Sequence, residues 1–136
     1  MIEYIVSACL AGCNCRYDGG NNRSEKVVQL VQQGRALPVC PEQLGGLSTP
    51  RPPFEIVDAR AVDKNGNDIT EQMQRGAEEA LALAKMAGCT KAILQLRSPS
   101  CGVGRIYDGT FSGVLIEGNG MFAQQILNAG IVIESE

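Results

Sequence analysis

Cys9, Cys40 and Cys101 each stand where an apolar stretch ends: Ile5-Val-Ser-Ala-Cys9, Ala36-Leu-Pro-Val-Cys40, and Ala92-Ile-Leu-Gln-Leu-Arg-Ser-Pro-Ser-Cys101. If those stretches are strands of one parallel sheet, their carboxyl ends share an edge. Residues distant in the chain then meet in the crevice where such sheets bind ligands. Three converging thiolates in a chain without histidine point to a soft metal centre, iron–sulfur foremost. Three ligands leave a four-iron cluster with one iron open to substrate, which is the arrangement of an enzyme and not of an electron carrier.

What is missing narrows the chemistry further. Without histidine there is no Ser–His–Asp or Cys–His pair within the chain and no His-ligated zinc, haem or non-haem iron. Carboxylates, Lys, Tyr and Cys remain as acids and bases. Neither a Walker phosphate loop nor a GxGxxG fingerprint is present, so nothing supports a nucleotide cofactor. The net charge of −3 gives no electrostatic reason to bind nucleic acid or an anionic membrane. No apolar run approaches the length of a membrane span, and the start Met-Ile-Glu-Tyr-Ile-Val lacks the basic region of a signal peptide. Six cysteines without an export signal are expected in a reducing, cytoplasmic setting, where thiols serve metals or catalysis.

The elements that must position the cysteines read as alternating strands and helices. Residues 2–8 form a first buried strand, followed by a polar loop to about Arg23. Ser24 caps a helix whose apolar face is Val27, Val28, Leu30 and Val31, and Gly34 ends it. Leu37–Cys40 is a second strand, with short strands at Phe54–Val57 and Ala59–Val62 and a turn at Lys64–Asp68. Asp68 and Glu71 make a capping-box-like start to a helix over Ile69–Ala87, striped by Met73, Ala77, Ala80, Leu81 and Ala84. Lys91–Leu96 is the third core strand; residues 98–120 are irregular, with room for a hairpin. Residues 120–129 form a last helix, and Ile131–Ile133 a final strand. This order predicts one α/β domain over residues 1–136, three-layered and Rossmann-like, with a mainly parallel sheet and long site loops at its C-terminal edge. Each such loop is headed by one of the three cysteines, and loops this long are usually functional.

Ser7-Ala-Cys9-Leu-Ala-Gly12 with Cys15-Arg-Tyr-Asp-Gly19, Cys40-Pro-Glu42-Gln-Leu-Gly-Gly-Leu47 with Pro50-Arg51-Pro52, and Ser98-Pro-Ser100-Cys101-Gly102 with Tyr107-Asp-Gly-Thr-Phe111 occur in this order. Together they resemble the three signatures of the thiouracil desulfurase family. That resemblance implies a [4Fe-4S] cluster held by Cys9, Cys40 and Cys101, with Glu42 and Ser98 on the family's glutamate and serine positions. The implied partner is a small thiolated pyrimidine, not a nucleic-acid duplex or a membrane. On this reading Glu42 deprotonates the attacking water. Ser98 and Ser100 hydrogen-bond substrate or cluster sulfide. Arg16, Arg51 and Arg105 neutralise cluster charge or hold an anion, and Tyr17 and Tyr107 are candidates to stack on a base. Cys15 competes for a ligand role, and Cys13 departs from the signature; Cys89 reads as a packing residue at the opposite sheet edge. Two other readings use the same cysteines: a structural or sensory site closed by Cys9, Cys15, Cys40 and Cys101, and a metal-free thiol enzyme with Cys9 as nucleophile.

Overall fold

A computed structural model describes residues 1–136. Four short parallel strands form its central sheet, β1 (Tyr4–Ser7), β2 (Ala36–Val39), β5 (Lys91–Leu94) and β8 (Val132–Ser135), in the order β2-β1-β5-β8. Two antiparallel hairpins stand apart from it, β3 (Phe54–Val57) with β4 (Arg60–Asp63), and β6 (Arg105–Tyr107) with β7 (Leu115–Glu117). The helices are α1 (Glu25–Gln32), the single turn α2 (Pro41–Leu44), α3 (Thr70–Ala87) and α4 (Met121–Asn128).

Alternation along each central strand builds the layers. Val6 and Ile93 turn to one face, where they pack with Val27 and Leu30 of α1. Ile5, Ala92 and Leu94 turn to the other, against Ala77, Ala80 and Ala84 of α3 and Phe122 and Ile126 of α4. Helix, sheet and paired helices make the three expected layers. A third apolar cluster, Phe54, Ala61, Ile69 and Met73, seats the first hairpin on the start of α3. Met73 is fully buried there, which contributes about 1.5–3 kcal/mol.

The structure corrects the sequence reading in four places. The core strands are shorter than their apolar runs: β1 is Tyr4–Ser7 and β5 stops at Leu94, so that Cys9 and Cys101 fall in the loops beyond. The second hairpin strand begins at Arg60, because Asp58 and Ala59 take positive φ in the turn. Asp68 accepts from the Thr70 amide (2.9 Å) and pairs with Arg60, but Glu71 returns no bond, so α3 starts without a capping box. Last, α2 was not expected. The turn lies against α3 because Gly76 and Gly45 have no side chains: a Cβ at Gly76 would stand 1.8 Å from the Pro41 carbonyl oxygen, and one at Gly45 2.1 Å from the Gln72 carbonyl oxygen. Ser24 does cap α1, and Gly34 and Gly88 do follow their helices at positive φ.

Candidate metal centre and active site

Three loops leave the C-terminal edge of the sheet, and all three contribute to one cavity of about 590 Å³. Cys9 and Cys15 from the first loop, Cys40 from the second and Cys101 from the third line it, together with Glu42 and Ser98. Cys9 lies in a 3-10 turn, Ala8–Ala11, that continues β1. Its sulfur accepts from Asn22 Nδ2 at 3.9 Å, and burial pushes the thiol up. Cys40 ends β2 and opens α2. Its thiol is pulled down to about 7, first by a hydrogen bond from the Cys15 thiol, then by the Gln43 backbone amide and the Arg51 charge. Cys15 is pushed up correspondingly, because within this pair it keeps the proton. Cys101 is buried in the loop after β5, where Ser98 Oγ accepts from the amides of Ser100 and Cys101, both at 3.1 Å. Desolvation pushes this thiol up, and a hydrogen bond with Ser7 opposes the shift.

Glu42 is held from two sides at the cavity. Arg51 Nε donates to its Oε1 at 2.9 Å and Ser100 Oγ to its Oε2 at 2.8 Å. The guanidinium side chain is only 4% exposed and also donates to the Cys15 carbonyl (2.7 Å), the Ser48 carbonyl and Thr49 Oγ1. Arg51 therefore ties the first loop to the second.

These contacts redistribute the roles read from sequence. Ser100 is 1% exposed, and its hydroxyl donates to the Glu42 carboxylate. Arg51 is occupied with protein acceptors in the same way. Arg16 lines the cavity but is braced by Asn22 (2.6 Å) and Asp18 (3.1 Å). Arg105 is exposed on β6, outside the cavity wall, whereas Tyr17 and Tyr107 line it. Cys13 is exposed, and Cys89 is buried in the core. Sequence reasoning missed Ser7, which accepts the Gln95 amide at 3.0 Å, and Asn22. Ser7 stood within the first motif, and Asn22 in its polar loop, so position beside Cys9 was the available signal.

The donor set suits a polynuclear iron centre. Cysteine thiols in a chain without histidine favour soft metal, and binding to a cation would deprotonate Cys9 and Cys101 against their desolvation. No three Cys, Asp or Glu side chains converge as they would on a single ion.

A parallel α/β sheet whose three edge loops all bring cysteine thiols to a shared cavity is the arrangement expected of a thiolate-ligated metal enzyme. Comparison with known proteins gives the family. The family model described as 2-thiouracil desulfurase matches residues 4–136, and the chain belongs to that family. It is 44% identical to the uncharacterized protein YbbK of Bacillus subtilis (strain 168), over 97% of this chain and 94% of that one. A solved structure described as a [4Fe-4S]-dependent thiouracil desulfidase, TudS, superposes with a TM-score of 0.94 at 45% identity, covering 100% of this chain and 91% of that chain.

Proposed function

We infer that this protein is an iron–sulfur-dependent desulfurase, which exchanges the sulfur of a thiouracil-like pyrimidine for a water oxygen and releases sulfide. The observation that carries this reading is the meeting of Cys9, Cys40, Cys101 and Glu42 at one cavity, in a chain of the desulfurase family. The reaction balances without electron transfer: a C=S bond is lost, a C=O bond is formed, one water is consumed and hydrosulfide leaves. Cys9, Cys40 and Cys101 hold a [4Fe-4S] cluster, which when bound supplies soft Lewis-acid iron for the thione sulfur.

The remaining work falls to side chains. Glu42 takes the proton of the attacking water. Each of its oxygens already accepts one hydrogen bond and retains a lone pair for that proton, while Arg51 and Ser100 fix its direction. Ser98, whose oxygen accepts two amides, has its own hydroxyl proton left to donate into the cavity. Cys15, whose carbonyl accepts from the Cys40 thiol and from Arg51, is read as a neighbour of the ligands and not as one of them, which sets the enzyme reading apart from a four-cysteine structural site. Arg16 stands at the rim to orient the polar edge of the ring. The partner is a small molecule and not a nucleic-acid duplex, in keeping with a cavity of about 590 Å³ and a net charge of −3. No helix is long and apolar enough to cross a membrane, and six free thiols favour the reducing cytoplasm. Anaerobic reconstitution followed by counting iron, inorganic sulfide and sulfide released from 2-thiouracil tests the reading. A fully loaded protein that releases none from any thiolated pyrimidine overturns it.

A further inference from the structure

Four of the chain's six aromatic residues, Tyr17, Phe54, Tyr107 and Phe111, line the cavity, and Phe111 is the one whose backbone is least at ease. It sits at φ +56, a conformation bulky side chains rarely adopt, in the otherwise polar run Asp108-Gly-Thr-Phe-Ser-Gly113. It belongs to none of the three apolar clusters of the core, so packing does not account for it.

Two features clamp it in place. Glu55 is a carboxylate on a hairpin strand, only 8% exposed, and its Oε1 accepts from the Gly109 amide (3.0 Å) and the Phe111 amide (3.1 Å). Gly109, at φ +94, lets the loop lie on that hairpin: a Cβ there would meet Val57 Cγ2 at 2.7 Å and the Ile56 carbonyl at 2.9 Å. A buried carboxylate spent on two loop amides and a strained aromatic at a cavity wall are both unfavourable for the fold by themselves. Such strain is kept where it serves a site.

We propose that Phe111 is the flat wall against which the pyrimidine ring packs, and that Glu55 is the positioning residue that holds it there; this rests on the desulfurase reading above. A π-face recognises a planar thiolated ring and gives little to an aliphatic thione, so Phe111 selects the substrate class while leaving bond cleavage to the other wall of the cavity.

The test uses anaerobically reconstituted, cluster-loaded protein. Equilibrium binding of uracil, the product ring, is followed by calorimetry, and KM and kcat are measured with 2-thiouracil. Phe111→Gly and Phe111→Leu should each weaken uracil binding and raise KM about tenfold, with kcat within about twofold and iron content unchanged. Phe111→Tyr should stay near wild type. Glu55→Ala should behave like Phe111→Gly, and Glu55→Gln, which keeps an acceptor oxygen, should restore most of the binding. Phe111→Gly should also melt no lower than wild type, because glycine relieves the positive φ. Wild-type uracil affinity in Phe111→Gly and Phe111→Leu overturns the proposal, as does a lowered melting temperature with unchanged KM, which would make Phe111 a packing residue. A wild-type loaded protein that binds neither uracil nor 2-thiouracil would instead overturn the desulfurase reading itself.

Discussion

Cys89 and Cys101 lie beyond opposite ends of the same strand, β5, and belong to the same apolar cluster, 7% and 5% exposed. Burial pushes both thiols up. For Cys89 nothing else acts on it. Cys101 also meets the Ser7 hydroxyl and the charges of Cys9, Cys40 and Glu42. The difference lies in the two edges of the sheet. At the N-terminal edge α3 passes Gly88 and reaches β5 by Lys91, leaving no room for a site. At the C-terminal edge, residues 95–120 travel through a hairpin before α4 begins. An equally buried thiol is therefore filler at one edge and a proposed ligand at the other, and accessibility alone does not distinguish them.

The largest effect should come from breaking that asymmetry at the ligand side. Cys9→Ser, Cys40→Ser and Cys101→Ser should each lose most of the reconstituted iron and essentially all sulfide release, as measured by iron assay and the cluster's visible absorption. Cys15→Ser should keep most of its iron; complete loss there would make Cys15 a ligand.

Glu42→Gln keeps the size of the side chain and its acceptor for Arg51 and removes the base. Iron content should hold while turnover falls about 10²–10⁴-fold. Turnover at the wild-type level would take the base role from Glu42.

Gly76→Ala sharpens the comparison from beneath the site, since α2 must move off α3 to admit a methyl group. Denaturant unfolding should show a loss of about 1–3 kcal/mol, with a parallel fall in iron retention because Cys40 and Glu42 ride on that turn. In contrast, Cys89→Ala should cost about 1 kcal/mol and leave iron and turnover intact.

In the iron-free protein the thiols should also separate by reactivity. Alkylation at Cys40 should accelerate as pH rises through about 7, since the thiolate is the nucleophile. Cys101, held up by burial, should remain unmodified over that range. Mass mapping of alkylated peptides at several pH values reads both.

The layers were legible because the pattern carrying them is local: apolar runs ending in cysteine, a stripe of alanines three and four residues apart, and glycines at helix ends. The three cysteines were legible for the same reason, each being announced by the strand before it. What could not be read were features that depend on a neighbour far along the chain. Ser100 looked like a substrate contact because its motif adjoins Cys101, and only the fold brings Glu42 within 2.8 Å. Arg51 looked like an anion holder until its acceptors, from Cys15 to Thr49, were in place. Glu55 gave no signal at all: a lone acid between Phe54 and Ile56 reads as a solvated strand residue, and its burial comes from a loop more than fifty residues away.

Cys9, Cys40 and Cys101, the proposed ligands, sit in three separate loops, and on that proposal the cofactor is a mechanical part as well as a chemical one. Iron joins segments that otherwise touch mainly through side-chain bonds, and so acts as a three-way cross-link closing long stretches of chain. Oxidative loss of iron should release all three loops together while the sheet and its helices, whose apolar clusters lie beneath, stay folded. Oxygen would then inactivate the protein without unfolding it. A chain left in that condition keeps the scaffold for a second cluster, so damage is repairable by reloading and does not require new synthesis.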